Sequence, residues 1–218
     1  MSGDSKCENP MLETATTTRR ERRIAARRAQ ILDAAANVFS HKGYEKATTK
    51  EIAEMADVSE GTLFNYFATK RELLIGVAKA YADEVAADIE SVQGETFEDL
   101  LAQLAANRFR RGRERRLFML FLYESRLNAD VHKYYVEEAL QHIIGTLERR
   151  LTALIDAGVM RPVDPALTAR MMSATTMGFA ALFELGVSIG TDSPEKLGAF
   201  VTDIQLNGLR NGLGGGEK

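Results

Sequence analysis

Apolar residues recur along this chain at helical spacing almost from end to end. Ile31, Ala34, Ala35, Val38 and Phe39 stand at i, i+3, i+4, i+7 and i+8, and Gly43 can supply the left-handed cap that stops such a helix. Thr48-x-x-Glu51 and Thr69-x-x-Glu72 are capping boxes, with Ser59 a third N-cap between them, so two short helices and then a longer one are expected. The longer one carries Leu73, Leu74, Val77, Tyr81, Val85 and Ile89 and ends near Gly94. Thr96 opens a further helix that breaks around Gly112, and the segment from Arg115 to Arg126 sets Leu117, Leu120 and Phe121 on one side of another. The strongest stripe runs through Val136, Leu140, Ile143, Ile144, Leu147, Leu151, Leu154 and Ile155, until Gly158 and Pro162 stop it. Asp164-Pro165 and Ser193-Pro194 pair an N-cap with a first-turn proline, predicting helices over 165–190 and 194–211. No stretch alternates with period two between hairpin turns. The fold class expected is all-α, with about nine helices between unpatterned tails at residues 1–18 and 213–218.

Composition narrows the compartment and the chemistry. The 218 residues are 45% hydrophobic and 27% charged, a globular balance. The single cysteine, Cys7, excludes an intrachain disulfide and suits a reducing compartment. No apolar run approaches the roughly 20 residues that cross a bilayer, and the start lacks a signal-peptide core, so a cytoplasmic chain without membrane contact is expected. His41, His132 and His142 form no metal-ligand spacing, and neither G-x-S-x-G nor a P-loop is present. The expectation is a binder, not an enzyme, with no cofactor and no metal.

Charge alters the picture where it is local. The net charge is -3, yet RRERRIAARR, from Arg19 to Arg28, sets six Arg against one Glu. A local basic segment is what a DNA footprint requires. Beside it, Thr48 to Ala56, a turn at Asp57 and Val58, and Ser59 to Phe67 have the dimensions of a helix-turn-helix, whose second helix can enter the major groove. Gly61 is then informative. It is a poor helix former, by about 1 kcal/mol relative to Ala, and it removes the side chain where that helix would approach the bases. Thr62 and Asn65 become candidate base readers, Leu63 and Phe67 turn inward, and Tyr66 and Lys70 can reach phosphates. Thr48, Thr49 and Lys50 offer a second helix terminus to the backbone, and Ser59 caps the reading helix.

The run ILDAAANVFSHKGYEKATTKEIAEMADVSEGTLFNYFATKRELL, residues 31–74, resembles the DNA-binding domain of the TetR (tetracycline repressor) family of bacterial regulators. The matching features are Lys42-Gly43-Tyr44, Thr48-Thr49 before Ile52-Ala53, and Val58-Ser59-x-Gly61-Thr62-Leu63-Phe64-x-Tyr66-Phe67 followed by Lys70-x-x-Leu73. The resemblance implies a homodimeric, ligand-responsive repressor on a palindromic operator, with a helix-turn-helix domain at 19–70 and a ligand-binding and dimerisation domain at 71–212. By family position, Thr49, Lys50, Glu60, Gly61, Thr62, Phe64, Tyr66 and Lys70 would face DNA. Phe64 departs from the commoner tyrosine and so lacks one hydroxyl. Glu60 is acidic at a groove-facing position, where it could accept from cytosine N4 or serve its own helix.

For the second domain the resemblance implies a pocket, and the sequence supplies apolar candidates: Leu101, Leu104, Phe118, Phe121, Leu122, Met171, Thr175 and Phe179. Most such positions in a helical bundle are simply core. The arginines at 108, 110, 111, 113, 115 and 116 read as a solvated turn or as a basic mouth for an acidic group, so a hydrophobic effector, fatty-acyl or drug-like, is the expected partner. Two other readings stay open: an all-α enzyme or scaffold in which residues 48–67 are a structural hairpin, and an activator that needs no small effector.

Overall fold

The computed structural model describes residues 18–91, 102, 106, 109–191 and 193–210, with side chains to Gln205. Among these residues every regular element is helical and there is no strand. Helix α1 (Arg19–Lys46) opens on a full capping box between Thr18 and Glu21, which the apolar pattern did not reveal. At Gly43 the backbone takes φ 74° and ψ 172°, a region essentially reserved for glycine, so the turn through Tyr44 to Lys46 is set off from the helix before it. Helices α2 (Thr49–Met55) and α3 (Glu60–Tyr66) start where expected, because Thr48 and Ser59 each accept a hydrogen bond from the backbone three residues on. In α4 (Lys70–Ser91) the expected box is half formed. Thr69 Oγ1 accepts from Glu72 N at 3.0 Å, but the Glu72 carboxylate reaches past it to Ala68 N at 2.7 Å.

The remainder comprises α5 (Gly112–Leu127), α6 (Ala129–His132), a π-helical turn (Lys133–Ala139), α7 (Leu140–Asp156), α8 (Pro165–Glu184) and α9 (Pro194–Arg210). The strongest apolar stripe therefore begins inside the π turn at Val136, and its first turn is wider than the 3.6 period assumes. Helix α8 ends at Glu184 and not near 190, because Gly186 follows the C-cap with φ 72°. The expected tails up to residue 17 and from 213, and most of the helix expected from Thr96 to Gly112, lie outside the described residues.

Ile31, Phe39, Ile52, Leu63, Phe67, Leu73 and Leu74 close the core of the first three helices against α4. The same core runs on without a gap through Leu117, Phe121, Val131 and Tyr135. A second cluster, with Val85, Ile89, Leu147, Leu151, Ala169 and Met172, fills the space between α4, α7 and α8. Gly76 allows α4 to cross this closely: a Cβ there would sit 2.7 Å from a Leu32 methyl and 3.1 Å from the Phe67 ring.

Among the described residues, the arginines around Gly112 are engaged by neighbouring helices, and Arg108 lies outside those residues. Arg113 meets Asp33 of α1 at 2.6 Å, and Arg116 donates to the Ser40 carbonyl at 3.1 Å. Arg111 reaches Glu84 at 2.8 Å and Asp88 at 3.1 Å on α4, while Arg110 pairs with Glu195 of α9 at 2.6 Å. Arg115, one-tenth exposed, pairs with Glu184 of α8 at 2.9 Å and lies over the Phe183 ring. The exposed pairs among these contribute well under about 1 kcal/mol each. Their effect is positional, since the start of α5 is tied to four other helices.

Candidate nucleic-acid interface and effector cavity

Helices α2 and α3, joined by the turn at Asp57 (φ 49°), present one outer face. Thr48, Lys50, Ser59, Glu60, Gly61, Phe64 and Asn65 are exposed on it, and Thr49, Thr62, Tyr66 and Lys70 are half-buried. Phe64, 44% exposed, is an apolar ring left in water with no intramolecular reason to be there. Gly61 is similar: a Cβ would meet only Ser59 Oγ, at 3.9 Å, so nothing inside the chain requires a glycine. Leu63 and Phe67 are fully buried beneath this face, as their phase predicts.

Five polar groups on the face are already engaged. Glu60 accepts a short hydrogen bond from the Thr49 hydroxyl, which ties the first turns of α2 and α3 together. The Ser59 and Thr62 hydroxyls lie 2.8 Å apart, leaving Thr62 oriented but able to make another bond. Lys70 differs from the phosphate contact expected of it. Its ammonium donates to the carbonyls of Tyr44 at 2.8 Å, Ala47 at 3.1 Å and Glu45 at 3.4 Å, so its three donors hold the end of α1. Along the exposed start of α1, Arg28 stacks on Phe67 at 4.3 Å and donates to the Tyr66 carbonyl at 3.3 Å. Arg19, Arg20, Arg22 and Arg23 point into solvent.

Below the first three helices lies a cavity of about 130 Å³ among α4, α5, the π turn, α7, α8 and α9. Its wall is apolar for the most part: Val85, Ile89, Phe118, Leu140, Ile143, Leu147, Met172, Met177 and Ala180. Polar groups reach it from Tyr81, Glu114, Arg115, Tyr135, Ser173, Thr176, Thr202 and Gln205. Tyr135 is 1% exposed, its ring lies tilted against Phe121 with centroids 5.0 Å apart, and burial pushes its phenol well above the usual range. Among the described residues no group of three or more metal-ligating side chains exists, and no helix is long and apolar enough to cross a membrane.

Comparison with known proteins agrees with this geometry. Residues 31–77, spanning α1 to the first turns of α4, match the family model described as bacterial regulatory proteins, tetR family. The chain is 40% identical over 72 residues to YvkB, an HTH-type regulator of Bacillus subtilis, covering 33% of this chain and 38% of that one. It is 28% identical over 168 residues to the transcriptional regulator RutR of Escherichia coli, covering 76% and 79% respectively. The chain carries the segment that defines the tetR family of bacterial regulatory proteins. Its helical arrangement is also that of FadR from Bacillus subtilis, solved with stearoyl-CoA, at a TM-score of 0.65 and 24% identity over 83% of this chain and 98% of that one. Like its family, it is a helix-turn-helix transcriptional regulator and not an enzyme.

The cavity is lined largely by residues other than those the sequence singles out. Of the eight apolar residues expected at the pocket, Phe118 lines it. Phe121 is fully buried one layer behind, between Tyr81 and Tyr135. Leu122 and Met171 face outward at 39% and 44% exposure. Thr175 spends its hydroxyl on the Met171 carbonyl, and Phe179 packs edge-on against Phe109 in a separate small cluster. Leu101 and Leu104 lie outside the described residues. On α8 the error is one of phase: Met171, Thr175 and Phe179 were chosen, whereas Met172, Thr176 and Ala180 face the cavity. Tyr135, Thr202 and Gln205 were missed altogether. Their signal in the sequence is a polar tip at the phase of an apolar stripe.

Proposed function

We propose that this chain is a ligand-responsive repressor, acting in the cytoplasm as a homodimer on a palindromic operator and released by a largely apolar small molecule. The observation that carries the reading is the course of α4. Its first turn, through Lys70, Leu73 and Leu74, holds the helix-turn-helix, and its later turns, through Tyr81, Val85 and Ile89, line the cavity. One rigid element thus touches both sites, and a ligand that favours one setting of α4 shifts the other end by its differential affinity.

On the DNA side, Gly61, Thr62, Phe64 and Asn65 meet the base edges and thymine methyls, while Thr48, Thr49, Lys50, Ser59 and Tyr66 meet phosphates. Glu60 acts mainly through Thr49. The unpaired arginines at the start of α1 follow the backbone into the adjacent groove. Dimerisation is supported by the outer faces of α8 and α9. Leu167, Met171, Leu182 and Leu185 form a stripe on α8 with exposures of 67%, 44%, 40% and 68%, and Phe200 and Ile204 one on α9 with 60% and 58%. Gly178 lies within the first stripe, where a Cβ would meet nothing inside the chain. Two such helices from each copy make a four-helix interface and give the second reading head that a palindrome requires.

The test is selection of genomic fragments by the purified chain at near-physiological salt, followed by footprinting. A short palindrome protected at nanomolar protein is expected. Weak, sequence-independent binding that salt removes would overturn the reading.

A further inference from the structure

The cavity holds a set of polar groups that the folded chain leaves unused. Tyr135 Oη, Thr202 Oγ1 and Gln205 Nε2 are each buried at the atom and without a hydrogen bond among the described residues. Tyr135 is 1% and Thr202 5% exposed, so water reaches neither freely. Buried polar atoms in folded proteins are nearly always paired, and three exceptions on the wall of one cavity call for a common cause. Thr202 and Gln205 stand one turn apart on α9, and Tyr135 enters from the π turn, a distortion that recurs at functional sites.

The three groups share one property: each can donate. The amide nitrogen can only donate and so asks for an acceptor oxygen, which the two hydroxyls, able to donate or to accept, can meet as well. The charged groups of the wall argue against an anion. Arg115 is engaged by Glu184 and by the Phe109 carbonyl, and Arg111 is shared among Glu84, Asp88 and the wall residue Glu114. A carboxylate or phosphate would thus lie beside the Glu114 carboxylate with no cation among the described wall residues released to meet it. Size sets the remaining limit. A dry cavity of roughly 150 Å³ accommodates a benzene ring, and the space here is about 130 Å³.

Resting on the effector reading above, we infer that the cavity takes a compact, uncharged, ring-sized molecule bearing carbonyl-type acceptor oxygens, held by Tyr135, Thr202 and Gln205. Free carboxylates and long acyl thioesters are the competing ligand classes. The class comprises small cyclic or aromatic ketones, lactones and lactams.

The test uses the full chain with acetophenone, cyclohexanone and δ-valerolactone against benzoate, cyclohexanecarboxylate and octanoyl-CoA, reading the melting temperature, calorimetric affinity and release of the selected operator. At least one neutral carbonyl compound is expected to bind more tightly than every anionic probe. Tyr135→Phe and Thr202→Val preserve shape and should weaken that binding by about tenfold. The same two variants should raise the melting temperature of the unliganded chain, because each removes an unpaired buried group. Tighter binding by an anion, with release of operator, would keep the effector site and overturn its chemistry. Binding of a ketone without release of operator would keep the chemistry and overturn the effector reading. Failure of all probes, or a lower melting temperature in both unliganded variants, would also overturn the chemistry.

Discussion

The helix-turn-helix head and the helical body use the same kinds of residue to opposite ends. In the head, buried apolar residues interlock completely, with Ile31, Ile52, Leu63, Phe67, Leu73 and Leu74 all at 0% exposure. Its helix starts are capped by Thr18, Thr48, Ser59 and Thr69. In the body the core parts around a cavity, a π turn interrupts the longest helical run, and apolar side chains stand outside on α8 and α9. Glycine shows what the difference means. Gly76 and Gly198 are small because the chain itself presses on them, Gly198 lying within 3.0 Å of the Ala106 backbone once a Cβ is added. Gly61 and Gly178 meet no such neighbour. Smallness without an internal cause fits the surfaces proposed above to meet DNA on the head and a second copy on the body.

The largest expected effect breaks that contrast at Gly61. Gly61→Leu should weaken operator binding by about 100-fold, or about 2.7 kcal/mol, with helicity and dimer mass unchanged. Gly61→Ala should meanwhile raise stability by up to about 1 kcal/mol, since only helix propensity is at stake inside the chain. Fluorescence anisotropy on the selected operator, together with thermal melts, separates the two. A Gly61→Leu chain that keeps specific binding would remove the residue from the interface. At Gly76 the order should reverse. Gly76→Leu forces Leu32 and Phe67 apart and should cost about 1–3 kcal/mol in denaturant titration, and an unchanged midpoint would mean that α4 is not held against α1 as described.

The unequal legibility of the two regions has a physical cause. Helices α2 and α3 of the head are short and bounded by caps, and a cap, which helix starts of the body also carry, is a local chemical event between residues three apart. Thr48, Ser59, Asp164 and Ser193 were therefore readable one by one. Thr18 escaped because it opens on a basic, non-apolar stretch. The body depends on phase carried over long distances. One extra residue per turn in the π segment, or a helix end displaced from 190 to Glu184 by Gly186, changes which side chains meet across the bundle. Periodicity places Met171 and Met172 on an α-helix equally well, and only the packing of α8 on α7 decides between them. The arginines near Gly112 show the same limit, because their partners Asp33, Glu84, Glu184 and Glu195 come from four different helices.

Lys70 sharpens the comparison at the boundary between the regions, with a smaller effect. As a clamp on three carbonyls, its replacement in Lys70→Met should cost about 2 kcal/mol of stability. It should leave the dependence of operator affinity on salt unchanged. A lysine that meets phosphate behaves otherwise: its loss lowers the slope of log affinity against log salt by about 0.9, which is the outcome expected for Lys50→Ala. A reduced slope in Lys70→Met would return Lys70 to the DNA interface and show that the ammonium leaves the carbonyls when operator binds.

The smallest effect tests the charges packed where the two regions join. Glu124 on α5 is 4% exposed, and burial pushes its carboxyl above the ordinary range, Glu45 adding to the shift and Lys70 opposing it. A carboxyl whose folded pKa is raised favours folding while protonated. Its contribution is complete below the unfolded pKa and is lost as pH rises through the folded one. At about pH 7.5, far above the unfolded value, Glu124 therefore opposes the fold, whereas near pH 3 it is largely protonated in both states and does not. Glu124→Gln cannot ionise, so its melting temperature should exceed that of the parent chain at the higher pH and equal it at the lower. The reverse result, a lower melting temperature at about pH 7.5, would show that the attraction of Lys70 outweighs burial. The junction would then be held by an ion pair across it, and the Lys70→Met and Glu124→Gln effects would no longer be additive.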